Sequence, residues 1–325
     1  MKEKVLAFLK EKEAYCSGEE ISHKIGVTRA AVWKTIKKLQ ADGYEIESST
    51  KKGYKLIGAP NIITPSEVKE QLKTKYLGQT IHYEEKMDST NNKAKELARG
   101  GAEEGLLVIT EEQTNGKGRL GRVWESPAGT GIWMSLVLRP NILPQYASQI
   151  TLVAGLSLCE TLQEVTGLKA SIKWPNDVVV NGKKICGILT EMSAEMEGIN
   201  YIILGIGINV NTNTFSEELP YASSLALEGG IGYSRKAIIK DFLERFEKDY
   251  NQYKQIPNLE AIKERYEQNC ITLHKKVKLI KKEKEIIAEA IEITSDGALK
   301  VRYEDGSIDE VVSGEVSVRG LYDYV

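Results

Sequence analysis

Three changes of pattern along the 325-residue chain predict a multidomain α+β protein. Up to residue 57, apolar side chains recur at helical spacing and finish in a short alternating stretch. Between 66 and 270, strand-like and helix-like segments mix, and from 271 to 325 only short strands with glycine turns remain. Length alone, at roughly 150 residues per domain, gives about two domains. The patterning gives three, at 1–57, 66–270 and 271–325, with a linker at 58–65.

In the first part, Val5, Leu6, Phe8 and Leu9 fit one face of a short helix. Ser17-Gly-Glu-Glu20 is a capping box that opens a second helix carrying Ile21 and Ile25. Gly26-Val-Thr28 ends that helix and starts a third, in which Val32, Ile36 and Leu39 recur at i, i+4 and i+7. Arg29, Lys34, Lys37 and Lys38 fall elsewhere on it, and Gly43 closes it. Residues 44–49 and 54–57 alternate around Lys51-Lys-Gly53, which reads as a hairpin. Three helices followed by a hairpin is the layout of a winged helix-turn-helix. Its third helix would enter a major groove with Thr28 and Arg29 near base edges. Lys51, Lys52 and Lys55 on the wing would meet phosphates. The other reading is a three-helix protein-interaction domain with a solvated basic face. Charge favours DNA: residues 1–60 carry twelve Lys/Arg and eight Asp/Glu, net +4, inside a chain whose total is −2.

Gly58-Ala-Pro-Asn61 reads as linker, and Thr64-Pro65 as a helix start. Strands are expected at 106–110, 132–138, 178–180 and 201–208, and helices at 149–166, 235–253 and 258–269. After 271, strands at 276–280, 286–293, 299–303, 310–312 and 314–318, with Asp-Gly turns at 296–297 and 305–306, imply a small barrel.

Composition excludes several classes. With 41% apolar and 28% charged residues the chain is ordinary globular material, neither disordered nor collagen-like. No apolar run approaches the ~18–20 residues of a membrane span. The first residues lack a secretory core, so a cytoplasmic protein without a membrane partner is expected. Cys16, Cys159, Cys186 and Cys270 form no Cys-x-x-Cys, which speaks against a disulfide framework or zinc knuckle. His23, His82 and His274 have no metal-ligand spacing, and a Ser/His/Asp triad is a poor fit.

Four clusters carry chemistry. Gln113-Thr-Asn-Gly116-Lys-Gly118-Arg-Leu-Gly121-Arg-Val-Trp124 contains Gly-x-Gly-x-x-Gly. A dinucleotide fingerprint should sit in a tight strand-to-helix turn. Here residues 111–115 separate it from the strand, and Pro127, Gly129 and Gly131 follow, so no helix begins. Lys117, Arg119 and Arg122 among the glycines instead suit a loop that folds over a polyanion. The bland alternative is a flexible surface loop. Lys173-Trp-Pro-Asn-Asp177 with Lys183-Lys-Ile-Cys-Gly187 adds charge, and Asp177 could hold magnesium or pair with a lysine. Gly205-Ile-Gly207-Ile-Asn209 ends an apolar strand, where glycines permit close approach by a ligand or, alternatively, tight packing. Asp88-Ser-Thr-Asn-Asn92 precedes a helix, where its hydroxyls either cap or bind a small polar ligand.

Taken together, these motifs make the whole chain resemble the bacterial bifunctional biotin–protein ligases that double as biotin-operon repressors. The resemblance implies a class II synthetase-like catalytic domain and an SH3-like C-terminal barrel. It implies ATP with Mg2+ and biotin as substrates. Biotinyl-5′-AMP is then the intermediate and the corepressor, and the acceptor is a lysine of the biotin carboxyl carrier domain of acetyl-CoA carboxylase or another biotin carboxylase. Arg119 and Lys184 match the catalytic positions nearest the carboxylate and α-phosphate. Ser89, Thr90, Asn91, Gln113, Gly116, Lys117, Gly118, Arg119, Lys184 and Gly187 match biotin contacts. Arg119, Arg122, Trp124, Asn176, Lys184 and Asn209 match ATP contacts. The family loop often has Arg where Lys117 stands, which keeps the charge and loses the fork. Gly18, Thr28, Arg29, Lys34, Lys37, Lys51 and Lys52 match DNA contacts, and the ligand-bound homodimer would reach two operator half-sites. Three rivals remain: a ligase whose N-terminal domain does not bind DNA, a ligand-sensing regulator without catalysis, and a lipoate–protein ligase.

Overall fold

The computed structural model describes residues 1–12, 14–58, 60–195, 198–281, 284–313, 317–320 and 324. It divides into two compact units, Met1–Ile62 and Ile63–Val325. Ala59 of the expected linker lies outside the described residues, as does the 314–316 part of the last expected strand.

The first unit contains α1 (Lys2–Lys12), α2 (Gly18–Ile25) and α3 (Arg29–Ala41), then β1 (Glu45–Ser49) paired antiparallel with β2 (Gly53–Gly58). Ser17 Oγ accepts from Glu20 N at 3.0 Å and caps α2, while Gly26 ends it in the left-handed region at φ 74°. Thr28 Oγ1 accepts from Ala31 N at 3.2 Å and caps α3. Val32, Ile36 and Leu39 turn inward onto Val5, Leu9 and Ile21. The wing is tied to the helices by a two-way exchange between Cys16 and Tyr54, at 2.9 and 2.8 Å. Gly53 at φ 97° is required there, since a Cβ would lie 2.1 Å from the Cys16 carbonyl oxygen.

In the second unit, Thr64-Pro65 opens α4 (Pro65–Lys69). The main sheet holds β3 (Ile81–Met87), β4 (Leu107–Gln113), β5 (Gly131–Leu138), β6 (Ala170–Lys173), β7 (Asp177–Val180), β8 (Lys183–Glu195) and β9 (Gly198–Asn209). Its order is β3-β4-β5-β9-β8-β7-β6, and only β3–β4 is parallel. Along β5 and β9 the period of two is strict: Ile132, Met134, Leu136, Ile202, Leu204, Ile206 and Ile208 enter the main core. That core includes α6 (Gln149–Thr166), α8 (Arg235–Gln255) and α9 (Glu260–Asn269), with α7 (Leu225–Gly229) beyond β9. Val137 and Ile203, on the opposite face, pack under α5 (Thr90–Arg99). Sequence periodicity missed β3, β6 and β8. β3 is a polar edge strand whose mostly half-buried residues show no alternation, and β8 is interrupted by Gly187.

The C-terminal residues form β10 (Lys276–Lys281), β11 (Lys284–Ile293), β12 (Leu299–Tyr303), β13 (Ile308–Val311) and β14 (Ser317–Gly320). They make one antiparallel sheet in the order β13-β12-β11-β10-β14. The expected small barrel is therefore corrected to an open sheet among the described residues. The short strands β13 and β14 stand at opposite edges, and no ladder joins them. No described helix is long and apolar enough to cross a membrane, and all four cysteines are free and buried.

Candidate active site

The α5 side of the main sheet opens into a cavity of about 670 Å³ within the second unit. Alternate positions of β8 and β9, Gly187, Leu189, Gly205, Gly207 and Asn209, face it. Three glycines here make room for the protein's own side chains. A Cβ on Gly205 would lie 2.0 Å from Asn91 Oδ1, and one on Gly207 would lie 2.5 Å from Trp124 Nε1. A Cβ on Gly187 would meet Trp124 Cζ3 at 2.9 Å. The Trp124 indole thus lies over Gly187, which the resemblance sets among the biotin contacts.

At the α5 end the cavity is polar. Ser89, Thr90 and Asn91 are buried at 1%, 3% and 4% exposure, at the first turn of the helix. Ser89 makes no cap hydrogen bond through its hydroxyl. Gln113 Oε1 accepts from Thr90 N at 2.8 Å, and Gln113 Nε2 donates to Ser126 Oγ at 2.7 Å. β4 runs to Gln113 rather than stopping at 110, because its parallel register with β3 continues that far. Gln113 is thus fixed at a strand end.

The glycine- and cation-rich loop is a folded strap. Gly118 N donates to Arg122 O at 2.7 Å, and Trp124 N donates to Gly116 O at 2.9 Å. Gly116 is buried behind the cavity wall, where a Cβ would fall 2.3 Å from Trp124 O. One 3-10 turn, Arg119–Gly121, includes Leu120 at φ 57° with its side chain 76% exposed. Lys117 Nζ donates to Asn92 Oδ1 at 2.7 Å, and Arg119 Nη1 donates to Asn176 Oδ1 at 2.6 Å. The strap is thereby latched on both sides of the cavity.

The far end is cationic. Lys173, Lys184, Arg119 and Arg122 surround the Asp177 carboxylate on the cavity wall. Lys184 Nζ is 2.6 Å from Asp177 Oδ1 and 5.3 Å from the centre of the Trp124 ring. Burial draws Lys173 down to about 8, with Asp177 opposing that shift and Lys184 adding to it. Burial likewise lowers Arg119, against the pull of Asp177. Tyr324 donates its hydroxyl to Asp177 Oδ2, and Lys173 Nζ lies 3.6 Å from the centre of its ring. Tyr324 also stacks on Tyr221 at 5.4 Å. Both oxygens of Asp177 are thus engaged, and no group of three His, Cys, Asp or Glu fit for a metal occurs among the described residues. A protein-held magnesium site at Asp177 does not fit this arrangement. A divalent ion would have to arrive on its ligand's phosphates.

Ser89, Thr90, Asn91, Gln113, Lys117, Gly118, Arg119, Arg122, Trp124, Asn176, Asp177, Lys184, Gly187 and Asn209 all line this one cavity. Asn209 Nδ2 is held by Ser223 O at 3.1 Å. Sequence reasoning missed Arg319, which reaches the wall from β14, and Tyr324, which reaches it from beyond that strand. It also missed Ser135, which lies behind Thr90 and Asn91. Trp174 of the Lys173–Asp177 run is structural: it is 1% exposed and donates to Gly297 O at 3.2 Å. In the first unit Arg29, Lys34, Lys37, Lys51 and Lys52 are exposed, Gly18 is half-buried, and the Thr28 hydroxyl is occupied as the α3 cap. Trp33, unremarked in the sequence, stands 55% exposed on α3.

Residues 83–209 match the biotin/lipoate A/B protein ligase family, 2–55 match an HTH domain, and 272–319 match the biotin protein ligase C-terminal domain. The chain is 45% identical over 242 residues to the bifunctional ligase/repressor BirA of Bacillus subtilis, covering 74% of each chain. It is 29% identical over 317 residues to that of Escherichia coli, covering 97% of this chain and 96% of the relative. Among solved structures, the biotin protein ligase from Aquifex aeolicus in complex with biotin and ATP aligns with a TM-score of 0.65 and 31% identity. That alignment covers 74% of this chain and 99% of the other.

Proposed function

Because the chain belongs to the biotin protein ligase family, we propose that it activates biotin with ATP and transfers it to a lysine of a biotin carboxyl carrier domain. Its helix-turn-helix domain gives it the second role of a repressor acting on operator DNA. The observation that carries the reading is the single cavity with a neutral hydrogen-bonding end and a cationic end. A ureido ring suits the first, and a carboxylate meeting a triphosphate suits the second.

The reaction has two steps. A biotin carboxylate oxygen attacks the α-phosphorus of ATP, forming biotinyl-5′-AMP and expelling pyrophosphate. The carrier lysine amine then attacks the acyl carbon, forming the amide and releasing AMP. Carboxylate and triphosphate repel each other: at ~4 Å and an effective dielectric of ~20, two unit charges cost about 4 kcal/mol. Arg119 and Lys184 are assigned to offset this and to stabilise charge that grows in the transition state. Arg122 is assigned to the nucleotide phosphates, Trp124 to packing beside the adenine, and Asn176 and Asn209 to nucleotide contacts. Ser89, Thr90, Asn91, Gln113, Gly116, Lys117, Gly118 and Gly187 are assigned to biotin, whose buried urea must have every donor and acceptor paired. Mg2+ enters as part of the ATP substrate. The 114–125 strap, latched through Asn92 and Asn176, excludes water from a hydrolysable anhydride.

We further infer that biotinyl-5′-AMP favours a homodimer, placing two helix-turn-helix domains on two-fold related half-sites. The work is cytoplasmic, where carrier and operator are met. The division of the chain into three domains belongs to the same reading. The test is twofold. With biotin, MgATP and an apo-carrier domain, biotin should appear on one carrier lysine; a gel shift on an inverted-repeat operator should depend on biotin and weaken with salt. Carrier left unmodified by folded protein sinks the ligase reading, and biotin-independent or absent binding sinks the repressor reading.

A further inference from the structure

Behind the residues assigned to biotin runs a polar relay, half-buried at Glu191 and Lys95 and buried at Ser135, Thr90 and Asn91. Glu191 on β8 accepts from Asn91 Nδ2 at 2.8 Å and pairs with Lys95 Nζ at 2.5 Å. Asn91 Oδ1 faces Ser135 Oγ at 2.6 Å, and Ser135 Oγ lies 2.8 Å from Thr90 Oγ1. Ser135 is fully buried. Burial acts to raise the Glu191 carboxyl, yet the hydrogen bonds from Lys95 and Asn91 outweigh it and hold it below the ordinary range. It is therefore ionised and accepts only.

Counting protons then orients Asn91 and Ser135. An acceptor-only Glu191 requires the amide nitrogen of Asn91 on its side, so the amide oxygen faces Ser135. The one hydroxyl proton of Ser135 is taken by that oxygen, which has none to offer. With the Ser135 proton committed to Asn91, the Thr90 proton has two inward acceptors, Ser135 Oγ at 2.8 Å and Gln113 Oε1 at 3.1 Å. Thr90 Oγ1 has spent its proton inward and offers the cavity lone pairs alone. Gly205 keeps the relay in place, since a Cβ there would strike Asn91 Oδ1 at 2.0 Å.

We propose that Glu191 is a positioning residue for biotin recognition. Acting through Asn91 and Ser135, and together with Gln113, it holds the Thr90 hydroxyl as an acceptor that selects a ring N–H over a carbonyl. This rests on the biotin reading above, since it concerns how the same cavity end chooses its ligand. Lys95 neutralises the carboxylate, so the polarity is imposed without leaving a bare charge beside a neutral ring.

The experiment is biotin-dependent ATP–pyrophosphate exchange in the full chain, with Glu191→Ala, Glu191→Gln, Ser135→Ala and the Glu191→Ala/Ser135→Ala double variant. Wild-type exchange is the control: its absence refutes the biotin reading itself, whatever the variants do. Given exchange, Glu191→Ala and Ser135→Ala should each raise the biotin KM about tenfold, with the ATP KM changed less than about twofold. Glu191→Gln, which keeps an acceptor, should recover part of the loss. The double variant should be no worse than the worse single one, because both cut one relay. A biotin KM unchanged in Glu191→Ala overturns the proposal. So does a parallel rise of both KM values with a falling Tm, or single effects that multiply in the double variant.

Discussion

Lys184 stands where the account puts the greatest demand on a single charge. Its ammonium is 2.6 Å from Asp177 Oδ1 and 5.3 Å from the centre of the Trp124 ring. Removing it by Lys184→Ala takes one preorganised cation from a step in which charges ~4 Å apart cost about 4 kcal/mol at an effective dielectric of ~20. Loss of one such group costs about 10²–10³ in rate. Folding should suffer far less. Asp177 keeps its hydrogen bond from Tyr324 and the nearby Lys173 charge. The pair is also partly open to solvent, with side chains 25% and 10% exposed. About 1–2 kcal/mol of stability is at stake, a Tm fall of no more than about 8 °C for a domain of this size. Pyrophosphate exchange and thermal melting on the same preparation separate the two. Lys184→Met, which keeps the stem, should be as inactive as the alanine variant. Exchange within about tenfold of wild type, or a Tm loss large enough to unfold the variant at assay temperature, would refute the reasoning.

Other expected outcomes come from the same geometry. Arg119→Gly removes the latch to Asn176 and should release the activated acid, seen by mass spectrometry as biotin on lysines of bystander proteins; strict carrier selectivity would count against the strap. Gly207→Ala forces a Cβ against Trp124 Nε1. It should shift the Trp124 emission to the red and raise the ATP KM about tenfold, while biotin affinity measured without ATP stays within about twofold. Lys173, lowered by burial to about 8, is charged at pH 7 and neutral at pH 9. The kcat/KM for ATP should therefore fall as pH rises through about 8, and Lys173→Met should flatten that limb. For stability the sign is opposite. The folded value lies below the ordinary 10.5, so the folded chain binds fewer protons between the two values. Titrating Lys173 thus makes stability rise with pH across that window, a slope that urea unfolding of Lys173→Met should lack.

Much of this was legible in the sequence because the signals were local. Ser17, Thr28 and Gly26 announce helix ends through caps that need only neighbouring residues. The strap's three cations among glycines announce a polyanion site without any fold. What escaped was long-range. Ser135 is one serine in an apolar strand, and only the α5–β5 contact reveals that it stands behind Thr90 and Asn91. Tyr324 is 147 residues from its partner Asp177, in a segment whose local pattern carries no chemistry. The glycines of β9 were read as room for a ligand or for packing. Two of them prove to be beds for Asn91 and Trp124, which no spacing rule encodes. The barrel expectation failed for a related reason: strand count is local, but closure depends on which edges meet.

The central claim is that one cavity joins biotin to an adenylate and keeps the product. Native mass spectrometry of the full chain after incubation with biotin and MgATP tests it most directly. One biotinyl-5′-AMP should be held without a covalent bond per chain, with pyrophosphate released in equal amount. Folded protein that carries only free biotin or intact ATP, with no pyrophosphate formed, would contradict it.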